Sequence, residues 1–356
     1  MRFLTHSRLI GPFAALVIVY GLAGLVTPRF FEAGNFVNIA LQVSIVSITA
    51  IGSTLVILTG GIDLSPGAAL SLLTVLFATL VKFGGVNIAA AATAILLLGA
   101  LLGALNGFLT AYVRIPSFIT TLAALSAFRG IAFMFNKGSP VFSVSSALDP
   151  LFYGTVGGMP LPLFYVVLLY AGAMLLMRYT RLGREIYATG GNPVAAHLCG
   201  INVRFVQMIA FILAGAATAV GALLMVARLD SGSPNYGVGL ELQAIAAAVI
   251  GGTSLSGGRG NVGATLLGSL IIVIVQNALN MNAVPTSLQN VITGLIILVA
   301  VGIDMWRPEI GMMLPHLGSA ALRPTPEAGG LTEVAVGVRP GAETATRTPE
   351  DDALPH

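Results

Sequence analysis

Long apolar stretches follow one another along most of this chain, and few charged side chains interrupt them. Of its 356 residues, 56% are hydrophobic and 9% are charged, whereas soluble domains carry about 25% charged residues. A chain with so few charges cannot cover a water-facing surface of its size, so lipid must solvate much of it. In lipid the backbone must satisfy its own hydrogen bonds, which a helix does within one segment. The sequence therefore predicts an all-α polytopic membrane protein.

Ten stretches approach the roughly 20 apolar residues that a membrane-spanning helix needs. They cover residues 8–27, 36–59, 66–81, 87–113, 117–135, 161–179, 204–227, 240–256, 262–280 and 285–305. The third and eighth are short and rich in glycine, so each is either a full span or a tilted, broken or re-entrant segment. The first lacks the small-residue cleavage pattern of a secretory signal, and we interpret it as a retained span.

The placement of lysine and arginine predicts the orientation, because cytoplasmic loops of membrane proteins are enriched in these residues. With a cytoplasmic N-terminus and ten alternating spans, twelve of the seventeen fall on the cytoplasmic side and five on or near the external side. Both termini and the loop 181–201 are then cytoplasmic. The longest external connection, 136–160, is either a plain connector or a docking surface. We expect a transmembrane domain, 1–310, and a disordered cytoplasmic tail, 311–356.

The loop 181–201 reads RLGREIYATGGNPVAAHLCGI. In it, Asn192 can cap a helix, Pro193 suits the first turn and Gly200 suits the end. A loop that only marks topology needs its arginines but no capped helix, so we favour a docking helix over a plain basic topology signal. Cys199, the single cysteine, is expected to be a small apolar filler.

Two further segments are rich in glycine: ILTGGIDLSPGAAL at 57–70 and GGTSLSGGRGNVGATLLG at 251–268. In the first, Asp63 either belongs to a solute path or caps the next helix, which Ser65 and its following proline would begin. The second holds two glycine pairs, Gly251, Gly252, Gly257 and Gly258. Such pairs predict a tight turn that lets two helices pack closely.

Polar side chains are sparse within the apolar stretches. The candidates for a translocation path or for helix packing are Asp63, Ser65, Asn106 and Asn277, together with the four glycines of 251–268. Ionisable groups near mid-membrane are typical of ion-coupled carriers, and their scarcity argues against that class. No catalytic, cofactor-binding or metal-ligand pattern occurs, and a net charge of +3 is too small to suggest nucleic acid.

Residues 255–259, LSGGR, nearly match the signature motif of ATP-binding cassette ATPases. That signature works with a phosphate-binding loop, GxxxxGK[ST], and no Gly-Lys pair occurs in this chain. We therefore interpret the match as a coincidence, and we predict that this chain is not itself an ATPase.

Together these segments resemble the permease subunits of sugar-type ATP-binding cassette importers, the group that handles ribose, xylose, galactose and arabinose. The resemblance covers about residues 15–310 and rests on four motifs in order. They are GGIDLS at 60–65, ATGGNPVAAHLCGI at 188–201, GGTSLSGGRGNVGATLLG at 251–268 and NALN at 277–280.

The resemblance implies a multi-pass protein of the prokaryotic cytoplasmic (inner) membrane, surrounded by lipid. It implies a second permease, either a copy or a paralogue, two cytoplasmic ATPase modules, and an external solute-binding protein that delivers a sugar.

The resemblance also implies that 188–201 is the coupling segment seated on the ATPase. The residues assigned to it, with the start of the loop, are Gly183, Arg184, Ala188, Gly190, Asn192, Pro193, Ala195, Ala196, Gly200 and Ile201. This family commonly has ARLSGI where the chain has AHLCGI at 196–201, so the contacts of His197 and Cys199 are this chain's own.

The expected function is ATP-driven import of a monosaccharide, with ATP hydrolysed on a separate subunit. Because polar groups are sparse in the spans, we expect a weak solute path, with selectivity held by the binding protein. The alternatives are the same architecture importing a nucleoside, an inositol or a signalling sugar, an ion-coupled secondary carrier, and a membrane-embedded enzyme.

Overall fold

The computed structural model describes the backbone of residues 2–313 and the side chains of residues 9–299, 301 and 302. Nearly all of the predicted tail, 311–356, lies outside the described residues. Within them the chain forms thirteen α-helices: α1 (Arg2–Val26), α2 (Ala33–Leu58), α3 (Pro66–Lys82), α4 (Ile88–Ala111), α5 (Ser117–Met134), α6 (Asp149–Tyr153), α7 (Leu161–Tyr179), α8 (Arg181–Gly191), α9 (Pro193–Leu198), α10 (Val203–Leu229), α11 (Leu240–Ile250), α12 (Val262–Met281) and α13 (Thr286–Met313).

Seven helices in the described part of the chain are long and apolar enough to cross a membrane: α1, α2, α4, α5, α7, α10 and α12. Three more apolar helices are shorter, namely α3, α11 and the Thr286–Val299 part of α13. The polytopic helical fold is thereby confirmed. The count of ten spans and the positions of the two termini stay predictions.

Helix α2 lies at the centre of the bundle and contacts α7, α10, α11 and α12. Its residues 43–58 are all buried, as expected of a helix enclosed by other helices. Its Gly52 faces Ala214 of α10 so closely that a Cβ on Gly52 would lie 2.6 Å from the Ala214 Cα. The two helices can therefore approach through their backbones.

Helices α4 and α10 also pack closely, through glycines spaced four residues apart. Gly99, Gly103 and Gly107 lie on one face of α4, and a Cβ on any of them would collide with the α10 backbone. From α10, Gly215 faces Gly99 and Gly103 in the same way. Small residues at this spacing bring membrane helices into van der Waals contact.

The eighth apolar stretch, 240–256, forms a helix that is shorter than the stretch itself. Its helix, α11, ends at Ile250, and residues 251–256 belong to the following glycine-rich loop. Eleven residues extend only about 16 Å as a helix, which is well short of the roughly 30 Å hydrocarbon core of a bilayer.

The chain approaches α11 through a non-helical segment, 230–239, that runs antiparallel along α3. Gly232 lies against Thr74 and Ala78 near the end of α3, and Gly237 lies against Gly67 near its start. Residues 230–250 therefore form a broken segment, in which the irregular residues 230–239 precede the helix α11.

The connection 136–160 forms short elements rather than a span, as the sequence predicts. It contains β1 (Val141–Phe142), β2 (Thr155–Val156), β3 (Met159–Pro160) and helix α6. Strand β1 pairs antiparallel with β4 (Ser231–Gly232), which follows α10, and β2 pairs with β3. The Asp230 carboxylate accepts a 2.9 Å hydrogen bond from the Ser145 amide, so the connection is fastened to the end of α10.

Candidate functional site

The three glycine-rich segments of the sequence meet at one place, here named the glycine junction: Gly60 after α2, Gly190 and Gly191 at the end of α8, and Gly257 and Gly258 before α12. The spacing within each motif predicts local turns, but nothing in the sequence predicts that the three come together. The long helices between them bring these turns into contact.

The contacts of the glycine junction are between main-chain atoms. A Cβ on Gly257 would lie 2.9 Å from the Gly60 Cα, and one on Gly258 would lie 2.5 Å from the Gly191 Cα. A Cβ on Gly190 would overlap the Leu58 carbonyl oxygen and lie 2.5 Å from the Gly258 nitrogen. A side chain at these positions would force the segments apart, so glycine is required by close approach.

The tight turn predicted for 251–268 is present. The loop between α11 and α12 lets the two helices contact each other, with Gly251 against Ala264 and Gly268 against Ala247. A Cβ added to Gly251 would lie 2.7 Å from the Ala264 carbonyl oxygen, so the close contact requires glycine. Gly252 adopts a φ of +87°, which a residue with a side chain rarely adopts.

The loop 181–201 folds as two helices, α8 and α9, rather than the single capped helix that the sequence predicts. Helix α8 begins at Thr180, whose hydroxyl accepts a hydrogen bond from the Gly183 amide. Gly183 packs against Met177, which closes the corner between α7 and α8. Sequence reasoning missed α8, although its Arg181–Glu185 pair has the spacing of a helix.

Helix α9 has the ends predicted for it. The Asn192 side chain accepts a 3.0 Å hydrogen bond from the Ala195 amide, and Pro193 occupies the first turn. After Leu198 the chain turns at Gly200, with a φ of +81°, and the Ile201 amide donates to the Ala196 carbonyl oxygen. The cap and the closing turn fix a helix of only six residues.

Helix α9 presents apolar side chains away from the bundle. Val194 is 69% exposed and Leu198 is 82% exposed, whereas Ala196 is buried. Cys199 is exposed as well, so its interpretation as an apolar filler is wrong. The same surface holds a shallow cleft lined by Tyr112 and Arg114, which follow α4, together with His197 and Gly200.

Helix α8 links this exposed helix to the glycine junction. The Asn192 amide donates to the Ala188 carbonyl oxygen, which joins the end of α8 to the start of α9. The Tyr187 hydroxyl donates a 3.0 Å hydrogen bond to the Gly260 carbonyl oxygen in the loop before α12. Arg184, in the first turns of α8, is exposed. Helix α9 is therefore connected to the bundle through atoms in direct contact.

Asp63, Ser65 and Asn106 form one buried hydrogen-bonded chain. The Asp63 carboxylate accepts from the Ser65 amide at 2.9 Å and from the Ser65 hydroxyl at 2.7 Å. The Asn106 amide group of α4 donates to the Ser65 hydroxyl at 2.9 Å. Asp63 thus organises the turn before α3, and the N-cap residue Ser65 makes no side-chain cap bond of its own. Asn277 is buried apart in α12, and its Oδ1 has no hydrogen-bond partner among the described residues.

Two charged residues that sequence reasoning missed lie near the hydrogen-bonded group of Asp63, Ser65 and Asn106. Glu241, in the first turn of α11, is 8% exposed, and its carboxylate lies on Gly67 of α3. Arg129 is half-buried in α5, and its neighbour Phe128 packs on Ala68 and Leu72 of the same helix α3. The clue in the sequence is that each interrupts an apolar stretch, where an ionisable residue marks a functional candidate. Among the described residues no cluster of His, Cys, Asp and Glu is arranged to hold a metal ion.

Comparison with known proteins agrees with this arrangement. The chain is 40% identical over 294 residues to the ribose import permease protein of Escherichia coli K12, which covers 82% of the chain and 91% of the relative. It is 39% identical over 301 residues to the ribose import permease protein of Bacillus subtilis 168, covering 83% and 92%. Identity to the D-allose transport system permease protein of Escherichia coli K12 is 36% over 295 residues, covering 83% and 90%.

These relatives confirm the resemblance to permeases of sugar importers that the four motifs indicate. No solved structure matches the chain significantly. A family model matches residues 35–301, which takes in the glycine junction, both short loop helices and all but the first of the long apolar helices. The chain therefore belongs to the family described as the permease component of the branched-chain amino acid transport system.

Proposed function

We propose that this chain is the transmembrane permease subunit of an ATP-binding cassette importer that moves a monosaccharide across the cytoplasmic membrane of a prokaryote. The observation that carries the proposal is the capped helix α9. It exposes Val194 and Leu198, yet it is joined through α8 to the glycine junction. Such a helix suits a contact with another protein whose movement must reach the membrane helices.

The proposed coupling route has two ends. At the outer end, an ATPase module would cover the exposed residues of α9 and the adjoining cleft at Arg114. At the inner end, Gly190 contacts both the end of α2 and the loop before α12. ATP binding and hydrolysis would shift α9, and the junction would transmit that shift to α3 and α12. The coupling requires that α9 make different contacts in the two states of the transporter.

The solute class is proposed from the named relatives, which import ribose or D-allose. The family description instead names branched-chain amino acids. Polar atoms left without partners near α3 and α11 favour a solute rich in hydroxyl groups, because buried polar groups without hydrogen bonds are costly. The polar path residues proposed from the sequence are Asp63, Ser65, Asn106 and Asn277, and all four are buried.

Uptake by a reconstituted system tests this function. The chain is placed in liposomes with the ATPase and the solute-binding protein that co-purify with it, and uptake of labelled ribose, allose, xylose and leucine is compared. We expect uptake of one sugar that depends on ATP inside the liposomes and persists when ion gradients are dissipated. Uptake of leucine alone would support the amino acid alternative, and uptake that follows an ion gradient would support a secondary carrier.

The assembly around this chain is also a proposal. We expect a second permease, two ATPase modules and an external solute-binding protein, with both termini in the cytoplasm. The stoichiometry can be measured by mass photometry of the purified complex. A label at the C-terminus that reacts only after the membrane is opened on its cytoplasmic side would support the orientation, and labelling of intact cells would contradict it.

A further inference from the structure

Glu241 and Arg129 carry buried polar atoms that no described residue satisfies. Glu241 Oε2, Arg129 Nε and Arg129 Nη2 are each buried and make no hydrogen bond within the described part of the chain. One of these atoms is an acceptor and two are donors. A native structure rarely leaves such groups unpaired without a functional reason.

The two side chains lie near each other without forming an ion pair. Glu241 lies on Gly67 of α3, and the turns of α5 that flank Arg129 pack on the same half of that helix. The ion pairs found among the described residues are nevertheless Arg29–Glu32 and Arg181–Glu185. A buried acid and a buried base that were kept for stability alone should meet directly, because their attraction must offset the loss of water around both. Each side chain is therefore left with buried polar atoms that still need a partner.

The backbone around Glu241 holds its carboxylate in place. The carboxylate lies so close to the Gly67 Cα that any side chain there would overlap it, and Gly237 packs against the same glycine. Gly67 is in the first turn of α3, where the helix dipole favours a negative charge. The carboxylate is thus fixed at the break between the irregular segment 230–239 and α11.

A second unpartnered acceptor belongs to the neighbouring hydrogen-bonded chain. Asn106 donates from its Nδ2 to Ser65, while its Oδ1 is buried without a partner among the described residues. Asp63, at the other end of these hydrogen bonds, lies in the turn directly before α3, the helix on which Glu241 packs. The unpartnered acceptors and donors here are thus equal in number, two of each, which suits a neutral solute whose hydroxyl groups both donate and accept hydrogen bonds.

We propose that Glu241 and Arg129 form a solute-binding station within the membrane that holds two neighbouring hydroxyl groups of the transported sugar. One hydroxyl donates to Glu241 Oε2, and the oxygen of the next accepts from the Arg129 guanidinium. This inference rests on the proposed function, since it assigns residues to the path of the same solute. It goes beyond the weak solute path expected from the sequence, because a hydrogen bond to a charged group is among the stronger ones.

The test compares hydroxyl selectivity in wild type and in Glu241→Gln and Arg129→Gln variants, with Glu32→Gln as the matched control at an exposed position. The same binding protein and ATPase are used throughout, so their contributions cancel. The measured quantity is the ratio of kcat/KM for the transported sugar to that for each of its monodeoxy analogues. Hydrogen bonds to charged groups predict a fall in this ratio of about tenfold for one or two hydroxyls, with ATP hydrolysis retained.

A structural ion pair is the rival explanation, and the double variant Glu241→Gln with Arg129→Gln separates the two. A structural pair predicts that the double variant transports better than either single variant, with unchanged selectivity. The station predicts that selectivity is lost in both singles and that the double variant gains nothing. If a glutamine variant fails to reach the membrane, the same ratio is measured for Glu241→Asp. This variant keeps the negative charge but places the carboxylate closer to the backbone.

Wild-type selectivity in every variant that transports would overturn the station while leaving sugar import intact. Absence of sugar uptake by the wild type would instead reject the proposed function. The two failures are therefore distinguishable in one set of measurements.

Discussion

The Gly258 amide donates a 3.0 Å hydrogen bond to the carbonyl oxygen of Leu58, the last residue of α2. The last carbonyl groups of a helix have no partner within it. Here the loop before α12 supplies a partner for the Leu58 carbonyl group. Gly190 packs against both the Leu58 carbonyl oxygen and the Gly258 nitrogen. The end of the central helix is thus held by both of the other glycine-rich segments.

Substitution of Gly190 by alanine should disturb this junction. The added Cβ would overlap the Leu58 carbonyl oxygen, and main-chain atoms cannot turn aside as a flexible side chain can. We expect a loss of about 1–3 kcal/mol in stability, measured by thermal unfolding in detergent. Gly191→Ala is the control, because a Cβ at Gly191 meets nothing within 4 Å. Equal melting temperatures for the two variants would contradict the packing argument.

Substitution of Leu198 by aspartate should weaken binding of the ATPase without unfolding the permease. The side chain is 82% exposed, so its replacement removes few contacts within the chain. We expect the amount of ATPase that co-purifies to fall at least tenfold while the melting temperature stays unchanged. Val156→Asp, at an exposed apolar position in β2, should retain the ATPase. Full retention by the Leu198 variant would remove α9 from the interface.

Substitution of Asn192 by alanine should loosen α9 at its start. Loss of an N-cap side chain lowers helix stability by about 1 kcal/mol, and α9 has only six residues. Combined with Gly200→Val, which places a side chain at a φ of +81°, the change should separate ATP hydrolysis from uptake. Asn192→Asp preserves the acceptor and should behave like wild type. Normal sugar uptake per ATP hydrolysed in the double variant would disprove the coupling role.

Substitution of Gly67 by alanine should displace the Glu241 carboxylate and the Gly237 backbone together. Both occupy the space that the new Cβ would take. We expect sugar uptake to fall more than tenfold, measured as the initial rate in liposomes at equal amounts of protein. Gly130→Ala, beside Arg129 in α5, adds a Cβ with nothing within 4 Å and should transport normally. A transport rate equal to wild type in the Gly67 variant would show that the carboxylate need not be fixed there.

Substitution of Gly103 by leucine should separate α4 from α10. Its Cβ alone would overlap the Phe211 carbonyl oxygen, and the rest of the side chain cannot be accommodated. We expect little folded protein in the membrane, measured by the monodisperse fraction of a fluorescent fusion in size-exclusion chromatography. Gly172→Leu in α7, where nothing lies within 4 Å of a Cβ, should be tolerated.

The features that the sequence predicted correctly depend on neighbouring residues. The N-cap at Asn192, the first-turn Pro193 and the turn at Gly200 are properties of a few consecutive residues, and the structure places all three as expected. The long apolar helices follow equally from local composition. Local patterns suffice here because a helix and its caps form from groups a few residues apart.

The features that the sequence missed depend on distant residues. Helix packing brings together Gly60, Gly190 and Gly258, which are far apart in the sequence. No single motif predicts that packing. The sequence left open whether the segment around α11 is broken, for a related reason. Residues 230–239 can be irregular because hydroxyl groups of α3 donate to their carbonyl oxygens, as when the Ser71 hydroxyl donates to the Tyr236 carbonyl oxygen.

The glycine junction limits how such a chain can diverge. Where segments meet through side chains, a larger residue on one can be offset by a smaller residue on the other, so sequences drift in compensating pairs. Gly60, Gly190 and Gly258 meet through main-chain atoms, and no replacement on a facing segment can make more room. A chimaera built from two permeases should therefore exchange these three segments as a block, however far apart they lie in the gene.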